Sequence, residues 1–161
     1  METETMSQII TKDQLLKHWQ GHRSLSRRTL EKFPEKELFE LSIGGMRTYA
    51  ELVKEMLAIA APSAKGLETG KWEALEEDKK DLKTKEDLLK AWDEATEQIN
   101  QSWPNIPFEV FQQKVVAFGQ YESSGYELVA YAIENEVHHR GQGYVYLRSL
   151  GIEPPFFWER E

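Results

Sequence analysis

Residues 135–142 read Asn-Glu-Val-His-His-Arg-Gly-Gln and lie inside the last long helical segment, which the sequence predicts over about residues 124–150. Adjacent histidines, an arginine and a glycine are poor choices for a plain helical surface, where glycine alone costs about 1 kcal/mol relative to alanine. The same segment carries polar side chains at helical spacing where a bundle helix should be apolar. These are Tyr131, Asn135, His139, Gln142 and Tyr146. This polar stripe predicts a pocket, and the alternative is that the tyrosines lie at the bundle ends with their hydroxyls in water.

Apolar residues that recur at spacings of three and four predict three further helices, at about residues 12–33, 48–62 and 84–103. A proline stands at or just after the end of each helix and is expected to stop it. Residues 63–83 are charged and irregular, and residues 115–118 are predicted to be a short extended piece or a buried connector. Four helices without a convincing strand pattern predict an all-α fold, a four-helix bundle with irregular connectors and a short C-terminal tail.

Length and composition narrow the classes of function. The 161 residues fit a single domain over 1–161. A net charge of −8 without a clustered basic face argues against nucleic-acid binding. The absence of cysteine excludes disulfides, thiolate metal ligands and a cysteine nucleophile. Residues 1–5 are polar and unlike a signal peptide, and the longest apolar run, 56–61, is too short to span a bilayer. We therefore expect a cytoplasmic protein without nucleic-acid or membrane partners.

The segment 135–142, together with the Tyr-Leu-Arg-Ser-Leu-Gly stretch at 146–151, resembles the C-terminal signature of the DinB/YfiT-like family. Members of this family are bacterial four-helix bundles, many of them regarded as metalloproteins. The resemblance is close over residues 131–155. It implies an up-down-down-up order of the helices, a homodimer, and a small-molecule or thiol ligand.

The resemblance also implies where a metal would be bound. In the family, one histidine of the second helix and two histidines of the fourth, four residues apart, hold the ion. Three such imidazoles at about 2.0–2.1 Å leave a position open for water or substrate. Carried over to this chain, the three positions hold Glu55, Asn135 and His139, so one histidine of three is kept.

Three interpretations of this degenerate triad stay open. The residues could still bind a divalent metal such as Zn, Ni or Mn, although an amide suits a harder ion better. Alternatively, the site is metal-free and Glu55 pairs with His139, because burying either group alone would be costly. In the third interpretation the pocket is built from other residues.

Several residues around the triad are candidates for a supporting role. Gln142 follows His139 by three residues and could orient the imidazole, and Tyr131 and Tyr146 could line the pocket. His22 stands four residues after another histidine in the first helix. It is expected to be a hydrogen-bonded core histidine, with contact to the pocket as the less favoured alternative.

Other residues of the signature are expected to be structural. His138 lies about 100° around the helix from His139, which predicts a surface or subunit-facing position. Arg140 is expected to anchor a carboxylate from a neighbouring helix. Glu136 and His139 have the Glu-x-x-His spacing of di-iron bundles, but a single such pair is insufficient for that site. The aromatic tail that follows the fourth helix is expected to pack onto the bundle or onto a partner subunit. Its rings are Phe156, Phe157 and Trp158.

The resemblance implies one class of enzyme, a metal-dependent thiol S-transferase or thiol-dependent isomerase, in which the metal keeps a thiol as thiolate. Because two of the three histidines are replaced, the sequence favours a stress-response or small-molecule-binding protein with a degenerate metal pocket. Catalysis is therefore left open. A third hypothesis is an interaction protein that uses its aromatic tail.

Overall fold

Four long helices and one short helix dominate the computed structural model, which describes residues 8–161. The helices are α1 Lys12–Glu31, α2 Glu35–Glu40, α3 Tyr49–Thr69, α4 Lys85–Ser102 and α5 Gly125–Ser149. Two 3₁₀ turns and a hairpin connect α4 to α5. These are Trp103–Asn105, Phe108–Gln112, β1 Lys114–Ala117 and β2 Tyr121–Ser124. Among the described residues, none of the helices is apolar over a length that would cross a membrane.

Two hydrophobic clusters at opposite ends of the bundle give the direction of each long helix. The first joins the N-terminal halves of α1 and α5 to the C-terminal halves of α3 and α4, through residues such as Trp19, Val129, Ala64 and Ile99. The second joins the opposite halves, through residues such as Leu30, Leu147, Val53 and Leu88. Therefore α1 and α5 run one way and α3 and α4 the other. This confirms the all-α, up-down-down-up bundle.

Hydroxyl side chains begin all four long helices and explain why the predicted starts are accurate. Each accepts a hydrogen bond from the backbone N–H three residues further on, an interaction worth about 1 kcal/mol. These residues are Thr11, Thr48, Thr84 and Ser124. Gly151, just after α5, has φ 73° and stops that helix in the left-handed conformation that glycine adopts without strain.

The predicted end of the second helix is wrong. Pro62 lies inside α3, which continues to Thr69. A proline inside a helix removes one hydrogen bond and costs roughly 3 kcal/mol. The burial of Ala64 and Leu67 in the first cluster offsets this cost and keeps the chain helical. The six-residue α2 was not predicted, because it is too short to show helical periodicity, although its Leu38 is fully buried.

The extended piece predicted at residues 115–118 belongs to the first strand of the hairpin and the turn that follows it. β1 pairs antiparallel with β2, and the sequence does not reveal the second strand because its burial does not alternate. Phe118, in the turn, has φ 55°, a conformation that bulky residues rarely adopt. Its ring packs edge-on against Trp72 with 5.4 Å between centroids, which holds the turn against the bundle.

The C-terminal tail is fixed by its backbone, while its rings remain exposed. Tyr144 donates a hydrogen bond to the carbonyl of Pro155 over 2.6 Å, and Ser24 donates one to the carbonyl of Glu161 over 2.9 Å. The three aromatic side chains between them are 49%, 59% and 61% exposed. The tail thus packs back onto the bundle without burying these rings. The homodimer expected from the family resemblance stays a prediction.

Candidate functional site

Glu55 and His139 meet where α3 passes α5 in the opposite direction. Nε2 of His139 contacts Oε2 of Glu55, and the two side chains are 9% and 12% exposed, respectively. Asn135 lies one turn before His139 and donates from Nδ2 to the same carboxylate oxygen over 2.7 Å. The structure therefore brings the three residues of the degenerate triad together.

Gln142 contacts the imidazole of His139 on the side away from Glu55. Its side-chain oxygen lies 3.0 Å from Nδ1 of His139. This contact sets the ring orientation of His139.

Arg47 is part of the site, although no pattern in the sequence pointed to it. It precedes α3, and its guanidinium donates to Oε1 of Glu55 over 2.9 Å. Eight residues separate the two, a spacing that no helical pattern marks. Burial raises the pKa of Glu55, but hydrogen bonds from Asn135 and Arg47 and the charge of His139 outweigh burial and hold this pKa below its usual value.

The contact between His139 and Glu55 holds a hydrogen between its two atoms. A carboxylate oxygen only accepts hydrogen bonds, so Nε2 of His139 is the donor. The arrangement can therefore hold a proton and deliver it to a bound molecule.

The donor set does not fit a family-type metal centre. It contains one imidazole, one carboxylate and one amide, and the amide of Asn135 turns its nitrogen toward Glu55. The guanidinium of Arg47 already brings a positive charge to the other carboxylate oxygen. Within the described part of the chain, no group of three or more histidines and acidic residues could hold a metal ion. Zinc and nickel need more nitrogen or sulfur ligands than this site offers.

The two tyrosines named from the sequence lie on opposite sides of the pair. Tyr131 is 52% exposed. Its pKa is raised by partial burial and then by the charge of Glu55, so its ring is a neighbour of the pair. Tyr146 is fully buried and donates its hydroxyl hydrogen to the carbonyl of Arg47 over 2.7 Å. It holds the Arg47 segment and does not line an open pocket.

His22 does not reach the pair. His22 lies on α1 and is buried between α1 and α5. Nη2 of Arg140 lies 3.0 Å from its Nδ1, and Nη1 of Arg160 lies 2.9 Å from its Nε2. Burial and these two cations lower the pKa of His22 to about 4, with a further contribution from His18. It is a core histidine with hydrogen-bonding partners, as expected from the sequence.

The partner predicted for Arg140 is wrong. Arg140 donates to the hydroxyl of Ser26 over 3.0 Å and to the carbonyl of His22 over 3.0 Å. The buried carboxylate on the same helix, Glu136, accepts from Ser26 over 2.7 Å and lies 3.9 Å from Arg23. The hydroxyl of Ser26, on α1, therefore lies between Arg140 and Glu136 of α5. His138 is exposed, as predicted.

A cleft of about 690 Å³ opens one helical turn from the Glu55–His139 pair. It lies between the hairpin, the beginning of α5 and the segment that follows α3. Ile59, one turn after Glu55, and Tyr131, one turn before Asn135, both line it. A bound molecule in this cleft would therefore lie about one helical turn from the pair.

Comparison with known proteins agrees with this architecture. The sequence model described as the DinB family matches residues 1–160. The uncharacterized protein YjoA of Bacillus subtilis strain 168 is 25% identical over 150 residues, which cover 92% of this chain and 97% of YjoA. The crystal structure of YjoA, a DinB-like protein, superposes with a TM-score of 0.69 at 24% identity, covering 89% of this chain and 97% of YjoA. A DinB-like protein from Bacillus cereus ATCC 10987 gives a TM-score of 0.72 at 15% identity, covering 89% and 95% of the two chains.

Proposed function

Because this chain belongs to the DinB family, we propose that it is a small-molecule-binding member whose site works through the Glu55–His139 pair in place of a transition metal. The contact between Nε2 and Oε2, with Nδ1 held by Gln142, carries the proposal. In this proposal, a proton held by the pair takes the place that the family resemblance assigns to the ion.

The surroundings of the pair suit this role. Both oxygens of Glu55 accept hydrogen bonds, from Arg47 on one side and Asn135 on the other, which stabilises the carboxylate as an anion. The pair is mostly buried, so separating its two side chains would leave each of them without water or a partner. This cost keeps the two side chains together. The adjoining cleft begins about one helical turn from this hydrogen-bond donor and acceptor.

The second candidate function is a metal-dependent thiol S-transferase. One observation favours it, namely that the side chain of Gln142 contacts Nδ1 of His139, as hydrogen-bonding groups around metal-bound histidines commonly do. In that case Glu55, Asn135 and His139 would hold a divalent ion. When bound, such an ion keeps a thiol in its nucleophilic thiolate form.

Metal content distinguishes the two functions. We would purify the chain without a histidine tag, incubate it with Zn²⁺, Ni²⁺ and Mn²⁺ in turn, remove free ions and measure bound metal by elemental mass spectrometry. The wild type is expected to retain well under one ion per chain, and so is His139→Ala. Near-stoichiometric metal in the wild type that is lost in His139→Ala would overturn the proposal and favour the transferase.

A double substitution supplies the matched control. Glu55→His with Asn135→His restores three imidazoles on the same backbone, and we expect it to bind close to one zinc ion per chain. Zinc binding by this variant alone would show that the fold can hold a metal and that the wild-type side chains are the reason it does not.

A further inference from the structure

The cleft beside the Glu55–His139 pair has an apolar interior. The side chains that form it come from α3, the segment after α3, the hairpin and α5. They are Ile59, Leu75, Ala117, Phe118 and Leu128. Its volume of about 690 Å³ is that of a site for a small organic molecule.

The charges around this interior all have one sign. The charged residues that line the cleft are Glu77, Glu122, Glu127 and Glu134, with no lysine or arginine among the lining residues. Glu122 forms an ion pair with Lys114 over 3.1 Å. Among the described residues, the other three carboxylates form no ion pair. An anionic ligand would be repelled here, whereas a cation would relieve the repulsion between the carboxylates.

Three tyrosines complete the rim. Tyr121, Tyr126 and Tyr131 line the cleft and are 54%, 43% and 52% exposed. Aromatic faces attract organic cations through the ring quadrupole and also give apolar contact area. The cleft thus combines an apolar interior with exposed aromatic rings and unpaired carboxylates at its rim. This combination suits a ligand that has both an apolar part and a positive charge.

We propose that this cleft binds an organic cation with an apolar body, such as a substituted amine. This names the ligand class of the small-molecule site and therefore rests on the proposed function. The apolar body lies against Ile59 and Leu128, and the ammonium group lies among the tyrosine rings and the carboxylates of Glu127 and Glu134. The size of the cleft limits the ligand to a small molecule.

Calorimetric titration of the full chain with three probes of one shape tests the charge requirement. The probes are 4-phenylbutylamine, 4-phenylbutanol and 4-phenylbutyrate. We expect the amine to bind at least tenfold more tightly than the alcohol, the butyrate to show no heat of binding, and added salt to weaken only the amine. Equal affinities of amine and alcohol, or tighter binding of the butyrate, would overturn the inference.

Variants locate the binding to the cleft. Glu127→Gln with Glu134→Gln removes two unpaired carboxylates, and we expect it to weaken amine binding at least tenfold while alcohol binding stays the same. Glu94→Gln with Glu97→Gln removes the same charge from α4, away from the cleft, and should change amine affinity less than twofold. Circular dichroism checks that both variants are folded. Equal losses in the two variants would contradict the assignment.

The titrations and the metal measurement fail independently. If the amine binds as expected but the wild type holds stoichiometric metal, the cleft assignment stands and the metal-independent function is wrong. If the wild type holds no metal but the amine does not bind more tightly than the alcohol, the cation specificity is wrong and the proposed function stands.

Discussion

Nε2 of His139 faces Oε2 of Glu55 across the contact between two antiparallel helices, with 9% and 12% of the side chains exposed. The two residues lie 84 positions apart in the sequence. The pair therefore depends on the register of the whole α3–α5 contact, and it should contribute to the stability of the bundle as well as to its chemistry.

Replacing Glu55 should destabilise the folded protein, and the size of this effect should depend on whether His139 is present. We expect Glu55→Ala to lower the free energy of unfolding by about 1–3 kcal/mol, since it leaves the mostly buried imidazole and the amide of Asn135 without their hydrogen-bond acceptor. In a double-mutant cycle by urea denaturation, Glu55→Ala with His139→Ala should lose less than the sum of the single losses. His138→Ala, at the exposed neighbouring position, should change stability by under about 0.5 kcal/mol. Strict additivity would show that the two side chains do not interact.

His22 should make the protein less stable in acid. Its pKa is about 4 in the folded chain and 6.5 in the unfolded chain. Between these values the unfolded state binds the additional proton, so stability should fall as the pH falls from 6.5 to 4. His22→Gln should flatten the decline of Tm over this range, whereas the exposed His138→Gln should leave it unchanged. A decline in His22→Gln as steep as that of the wild type would contradict this assignment.

The two glycines that follow Arg140 should respond in opposite ways to alanine. A Cβ at Gly143 would lie 2.3 Å from Cε1 of Tyr49, whose buried ring stacks on Phe33 at 4.4 Å. Gly143→Ala should therefore destabilise the fold by about 1–3 kcal/mol. A Cβ at Gly141 meets nothing within 4 Å, so Gly141→Ala should stabilise the helix by about 1 kcal/mol. Urea denaturation measures both, and equal effects would show that close packing does not explain Gly143.

Arg47 should oppose metal binding. Its guanidinium occupies one oxygen of Glu55 and adds positive charge beside any bound cation. We expect Arg47→Ala to raise the affinity for Zn²⁺ severalfold, measured by competition with a fluorescent zinc indicator. Arg148→Ala, at an exposed position near the end of α5, serves as the charge-matched control and should have little effect. An unchanged affinity in Arg47→Ala would show that the guanidinium of Arg47 does not oppose metal binding.

Local patterns predicted the helices well, since capping side chains and apolar periodicity act within one or two turns. Pro62 shows where such patterns fail, because burial of residues beyond the proline keeps α3 helical. The second hairpin strand was missed because its exposed side chains do not alternate.

The site was predictable in part, through the family resemblance. Glu55, Asn135 and His139 were named through their places in the family's pattern, and the structure brings them together. The roles of Arg47 and the partners of Arg140 depend on tertiary contacts between distant segments, which spacing along one helix does not encode.

The hydrogen bond from Tyr146 to the carbonyl of Arg47 has a mechanical consequence. Helix α5 carries the imidazole that contacts one oxygen of Glu55, and through Tyr146 it also restrains the residue that contacts the other oxygen. A displacement of α5 along its axis would therefore disturb both contacts at once. A ligand that shifts this helix would weaken the hydrogen bonds to both oxygens of Glu55 together.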